Sequence, residues 1–143
     1  MEFPFEHRAY GPDSTPEEIA AIRSRVKHVR DNIIAIHDVP VGSTFSIGIL
    51  IEEMQRIAEG WSVIKVFVDV ADARRPTPEY REALLRFGAD EPRLIACAVY
   101  IGKSRVFATI ARVSLALLGA SAGMRAFHSR EAAMRYLDDV DER

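Results

Sequence analysis

Acidic and cationic residues follow the most apolar run of the sequence. Asp69 and Asp72 are followed by Arg74, Arg75 and Thr77. Acids at the carboxyl end of a parallel strand often meet a metal ion or a phosphate. The spacing is Asp-x-x-Asp, not the Asp-x-Asp of phosphate-transferring aspartate enzymes, and Asp side chains commonly stabilise turns. We therefore expect the two acids to serve a turn and a helix cap, with metal-dependent catalysis as an alternative.

Thr77 precedes Pro78 and Glu79, a sequence typical of the first turn of a helix. This pattern predicts that Thr77 caps a helix. The same hydroxyl is also a candidate for phosphorylation, because a phosphate there would meet the helix dipole and Arg74 or Arg75. The two interpretations are compatible, and both make the turn after residue 69 the candidate site for binding a partner.

The remaining chemistry-bearing residues are interpreted as structural. His7, His28, His37 and His128 share no metal-ligand spacing with each other or with Cys97. We expect exposed histidines on strands, with His28 and His37 able to face each other across a hairpin. Cys97 lies inside an apolar run, which predicts a small core residue rather than a reactive thiol. No metal and no cofactor are expected.

Composition limits the function classes. A chain of 143 residues is expected to form one domain, and its net charge of −2 gives no indication of nucleic acid as a partner. A single cysteine fits a reducing cytoplasm. No apolar run approaches the roughly 20 residues of a membrane span, and the first residues lack a secretion signal. We expect a cytoplasmic protein without a membrane span.

The elements that must position the acidic turn follow from the hydrophobic pattern. Residues 63–70 are apolar and β-branched, which predicts a strand buried on both faces at the centre of a sheet. Residues 25–29 and 33–36 flank an Asp-Asn turn signal and predict a β-hairpin, although an α-helix continuing through residue 22 also fits the spacing. Residues 94–101 and 124–128 predict further strands.

Helices are predicted between these strands. Thr15 and Glu18 form a capping box for a short helix, and Ser43 or Thr44 opens a second helix that ends near Gly60. Gly48, inside that second helix, is expected to allow close approach of a neighbouring element. Further helices are expected over residues 77–87, 104–118 and 129–140. The alternation predicts an α/β sandwich with a mostly parallel sheet.

The order β-β-α-β-α-β-α-β-α, with an acid ending the central strand, resembles the STAS family of sulfate-transporter and anti-sigma-factor-antagonist domains. The closer likeness is to stand-alone bacterial STAS-like proteins of unassigned function. It covers about residues 22–140, so we interpret residues 1–21 as an N-terminal extension, an edge strand or arm plus a short helix, and residues 22–143 as the STAS-like domain. The matching positions are Val68, Asp69, Thr77, Pro78, Glu79, Tyr80, Arg81, Phe127, Ser129, Ala133, Tyr136 and Leu137.

The resemblance implies a regulatory module. In phospho-regulated members, a kinase modifies a serine at the start of the helix after the central strand, and the added charge blocks partner binding. That position falls near Thr77 here. The chain departs from the family's Asp-Ser-Ser-Gly pattern, because it has Arg75-Pro76-Thr77-Pro78. The resemblance therefore implies a protein partner more firmly than a phosphorylation switch.

Three functions remain open from the sequence. The first is a non-enzymatic module that binds a protein partner through the turn after the central strand. The second is a small-ligand or lipid-binding domain, with an apolar pocket beside the helix over residues 104–118, whose apolar surface could alternatively form a homodimer interface. The third is an enzyme that uses Asp69 and Asp72 with a metal ion.

Overall fold

A computed structural model describes residues 9–71, 79, 82–83, 86, 90–102 and 124–140. Three α-helices and five β-strands lie within these residues. They are, in chain order, α1 (Pro16–Arg23), β1 (Val26–Arg30), β2 (Ile33–His37), α2 (Thr44–Ile57), β3 (Ile64–Asp69), β4 (Leu94–Tyr100), β5 (Met124–Phe127) and α3 (Arg130–Asp139).

The five strands form one sheet in the order β1-β2-β3-β4-β5. The β1–β2 pair is an antiparallel hairpin, and β2, β3, β4 and β5 run parallel. Strand β3 lies at the centre, as its continuous apolar sequence predicts, because only a central strand of a covered sheet is buried on both faces. The predicted hairpin, mostly parallel sheet and α/β class are confirmed.

Alternate residues of β3 enter two different cores. Ile64 and Val66 pack with residues of α1 and α2 on one face of the sheet. Phe67 packs on the other face with Ala133 and Leu137 of α3. Lys65 interrupts the apolar pattern on this second face. It is buried, and its ammonium donates a hydrogen bond to the carbonyl of Val140 at the end of α3 (3.3 Å), where a cation is favoured.

Capping by side chains explains where the helices begin. The Thr15 hydroxyl accepts from the Glu18 amide, and the Glu18 carboxylate accepts from the Thr15 amide, which confirms the predicted capping box. Ser43, rather than Thr44, caps α2. Ser129 caps α3 by accepting a hydrogen bond from the Ala132 amide, as its position predicts.

The segment before α1 is anchored in the main core. Tyr10 is fully buried and packs in the same cluster as Ile22 and Met54. The Ser43 hydroxyl donates to the carbonyl of Tyr10 (2.7 Å), which fixes this segment to the start of α2. Residues 1–8 lie outside the described residues, and the division of the chain at residue 21 stays a prediction.

The hairpin has a register that the sequence did not reveal. His28 pairs with Ile34, whereas the His37 amide bonds to the carbonyl of Arg25, so the expectation that His28 and His37 face each other is wrong. The tight turn at Asp31, which has a φ of 46°, and the irregular register between His28 and Arg30 set this alignment. Both histidines are exposed, as predicted.

Several predicted elements fall outside the described residues. These are the helix over 104–118 and most of the helix over 77–87, of which positions 79, 82, 83 and 86 are helical. Arg86 and Glu82 form an exposed ion pair one helical turn apart (3.1 Å). Within the described part of the chain, no helix has both the length and the apolar character needed to cross a bilayer.

Gly48 offers a stability prediction. Beyond the nearby backbone of α2, no described residue comes within 4 Å of a methyl group built at this position, so the described residues show no close approach. Gly48→Ala is therefore expected to raise the free energy of unfolding by about 0.5–1 kcal/mol, because alanine is the better helix former. Urea denaturation measures this change. The control is Gly60→Ala, which is expected to destabilise because Gly60 has a φ of 83°. A Gly48→Ala protein that is no more stable than the wild type would contradict the prediction.

Candidate functional site at the carboxyl edge of the sheet

The sheet register places one row of residues along its carboxyl edge. His37 of β2 pairs with Asp69 of β3, and Asp69 pairs with Tyr100 of β4. Arg25 extends the row, since its carbonyl accepts a hydrogen bond from the His37 amide (2.9 Å). Paired residues of neighbouring strands project to the same face of a sheet, so these side chains share the face covered elsewhere by α3.

Asp69 is a buried residue of this row whose carboxylate and carbonyl both accept hydrogen bonds. Its side chain is only 8% exposed. One carboxylate oxygen, Oδ1, accepts a hydrogen bond from the Ala71 amide (3.0 Å), and Oδ2 accepts one from Nη2 of Arg130 (2.6 Å). Its carbonyl accepts a further hydrogen bond from the Asp38 amide (2.9 Å). The Ala71 contact confirms that Asp69 stabilises the start of the turn.

Arg130 was not predicted as a site residue. It is the first residue of α3, and its guanidinium lies over the Tyr100 ring, 4.6 Å from the ring centre, while bonding to Asp69. The side chain is nevertheless 59% exposed, so part of the oriented guanidinium faces solvent. A separation of 61 residues between Asp69 and Arg130 leaves no local sequence signal for this pair.

A second acid, Asp38, follows β2 at the same edge. It is buried, and its Oδ1 accepts a hydrogen bond from the Val39 amide (2.8 Å). Its carbonyl accepts from Nη1 of Arg25 (2.9 Å), which ties the start of the hairpin to the end of β2. Among the residues that the structure describes, no group of three or more His, Cys, Asp or Glu side chains could hold a metal ion.

The turns after β3 and β4 pack against each other. Gly102 follows β4 with a φ of 67°, and a methyl group placed there would approach the Ala71 methyl to 3.1 Å. The His128 ring contacts the carbonyl of Gly102 through Nδ1 (2.8 Å), so the residue preceding the cap of α3 also holds this turn. The first residue of the candidate turn, Ala71, is thus fixed both by Asp69 and by the neighbouring turn.

The other predicted site residues lie outside the described residues. Asp72, Arg74, Arg75 and Thr77 belong to this group, and so does the predicted apolar pocket beside residues 104–118. The structure therefore brings Asp69 together with Arg130 and Tyr100, while the remaining four assignments stay predictions. Glu79, which follows the turn, is exposed.

Cys97 is a core residue, as its position in an apolar run predicts. It is 3% exposed in the middle of β4. Burial raises the pKa of its thiol to about 12, because the thiolate loses its solvation by water. The thiol is therefore neutral at physiological pH and is not a nucleophile in the folded protein.

Comparison of the chain with protein-family models, curated proteins and solved structures finds no match. The resemblance to the STAS family accordingly stays a prediction, and the function has to be argued from the geometry of the carboxyl edge.

Proposed function

We propose that this chain is a non-enzymatic, STAS-like regulatory module that binds a protein partner through the turn and helix start after β3. The observation that carries the proposal is the role of Asp69, whose carboxylate holds Ala71 and Arg130 together at the carboxyl edge. A turn that begins from a fixed point can present its following residues to a partner with little loss of conformational entropy.

The bonding of Asp69 favours recognition over catalysis. Each carboxylate oxygen already accepts a hydrogen bond, which leaves fewer lone pairs for a metal ion or a substrate. The buried carboxylate is also separated from solvent, with only 8% of its side chain exposed. These contacts give Asp69 a structural role at the start of the segment that contains Asp72, Arg74, Arg75 and Thr77.

The element order adds support for the STAS-like assignment. Two strands, a helix and the central strand follow one another from β1 to β3, as in the resemblance. Thr77 would then occupy the position at which family members are phosphorylated. Its flanking prolines separate this turn from the family pattern, so partner binding is the part of the proposal that we test first.

The test compares affinity capture from native cells by two variant proteins. The combined Arg74→Ala, Arg75→Ala and Thr77→Ala variant is expected to capture at least about tenfold less partner than the wild type, which is the effect of truncating hot-spot residues. The control carries Arg23→Ala and Arg135→Ala, two exposed cations that are distant from the turn in sequence, and is expected to retain the partner. Mass spectrometry quantifies the capture, and urea denaturation verifies that both variants fold. Equal capture of the same partners by wild type and the turn variant would refute the proposal.

A further inference from the structure

A recess of about 400 Å³ opens beside Arg130 on the face of the sheet that carries α3. It extends from the carboxyl edge, at Asp69, across β2 to the exposed strand β1, and residues before β1 close one side. This volume lies within the range of small-molecule sites, which are typically about 300–1,000 Å³.

The floor of the recess is open because one of its residues, Ala35, has a small side chain. Lys27 of β1, Ala35 of β2 and Phe67 of β3 lie side by side in the sheet register. Helix α3 covers Phe67 through Ala133 and Leu137. Ala35 is too short to fill the space beside Phe67, so an apolar floor with an aromatic edge remains open between Lys27 and α3.

The charged side chains that line the recess are mostly cationic. Arg25, Lys27 and Arg130 line it. Among the described residues that line it, Asp69 is the one carboxylate, and it is already paired with Arg130. The Lys27 side chain is exposed and makes no hydrogen bond or ion pair with the described residues. Arg130 is oriented by Asp69 and Tyr100, and one of its nitrogens, Nη2, makes its hydrogen bond to the protein. An oriented guanidinium with free N–H groups suits a carboxylate or a phosphate.

We infer that this recess binds a small organic anion, with its carboxylate or phosphate monoester between Arg130 and Lys27 and its apolar body over Ala35 and Phe67. This ligand site shares Asp69 and Arg130 with the carboxyl edge, but it is defined by described residues alone and does not depend on Arg74, Arg75 or Thr77. Failure of anion binding would therefore leave the partner-binding proposal standing, and the reverse also holds.

Calorimetric titration tests the inference with three probes that share an aromatic body. Phenyl phosphate and benzoate are expected to bind saturably at one site per chain, and the uncharged benzyl alcohol is expected to bind at least about fivefold more weakly. Binding of the two anions is expected to weaken with added salt, because exposed cations contribute to it. A preference between phenyl phosphate and benzoate identifies the head group. Equal binding of benzyl alcohol, or no saturable binding of either anion, would overturn the inference.

Two variants locate the site. Lys27→Ala removes an exposed cation and is expected to weaken anion binding at least about fivefold. Ala35→Leu fills the floor without changing charge and is expected to abolish binding. The control, Arg135→Ala, removes an exposed cation of α3 that does not line the recess and is expected to leave binding unchanged. Anion binding that survives both Lys27→Ala and Ala35→Leu would place the ligand elsewhere and refute the assignment.

Discussion

Asp69→Ala is expected to lower the free energy of unfolding by about 2–3 kcal/mol. The substitution removes both charge-assisted hydrogen bonds of the carboxylate, to Ala71 and to Arg130, and leaves a small void at a buried position. Because the Arg130 side chain is more than half exposed, water can solvate its guanidinium once Asp69 is removed. The loss of stability is therefore smaller than for a fully buried ion pair. Urea denaturation of the wild type and the variant measures the difference.

Two further variants separate the contributions of the two oxygens. Asp69→Asn keeps an acceptor for the Ala71 amide and is expected to cost about half as much as Asp69→Ala. Arg130→Ala is expected to cost about 1–3 kcal/mol, because it removes the cation that pairs with the buried Asp69 carboxylate. If Asp69→Ala is as stable as the wild type, the carboxylate does not hold the turn, and the structural role assigned to it is wrong.

Leu137→Ala is expected to lower the free energy of unfolding by about 3 kcal/mol. Leu137 is fully buried between α3 and the sheet, in the core that contains Phe67 and Ala96. Truncating a buried leucine removes its transfer free energy and leaves a cavity, which together cost about 2–5 kcal/mol. The effect reaches the candidate site, because the same helix carries Arg130 and the cap at Ser129.

The matched control for this helix is Arg135→Ala. Arg135 is exposed on the opposite side of α3, and its removal is expected to change the free energy of unfolding by no more than about 0.5 kcal/mol. Both variants are compared by urea denaturation. The comparison is made with the same slope of unfolding free energy against urea concentration for both proteins. A Leu137→Ala loss no larger than that of Arg135→Ala would show that α3 does not pack on the sheet as described.

The elements of the fold were predictable where the sequence signal is local. A continuous apolar and β-branched run located β3, and the Asp-Asn turn separated β1 from β2. Thr15, Ser43 and Ser129 marked the helix starts. These features depend on residues close in sequence, so one chain is sufficient to identify them.

The details that were missed depend on contacts between distant residues. His28 does not face His37, because the turn geometry and the irregularity after His28 fix the register. The sequence around Gly48 does not indicate that the described residues leave space beside it. Arg130 reaches Asp69 across 61 residues.

The same limit applies to the candidate site. The recess exists because Lys27, Ala35 and Phe67 become neighbours in the sheet register. The position of Asp69 after an apolar run was enough to predict the carboxyl edge of the sheet. The cationic residues that surround this edge could be identified only from the tertiary structure.

Amide hydrogen exchange at Ala71, followed by NMR in the wild type and in Asp69→Ala, tests the central claim most directly. The account predicts that the Ala71 amide is protected in the wild type, because it donates to Asp69, and loses that protection in the variant while Val66 and Ala96 remain protected. An Ala71 amide that exchanges freely in the wild type, or one that stays equally protected without the Asp69 carboxylate, would contradict it.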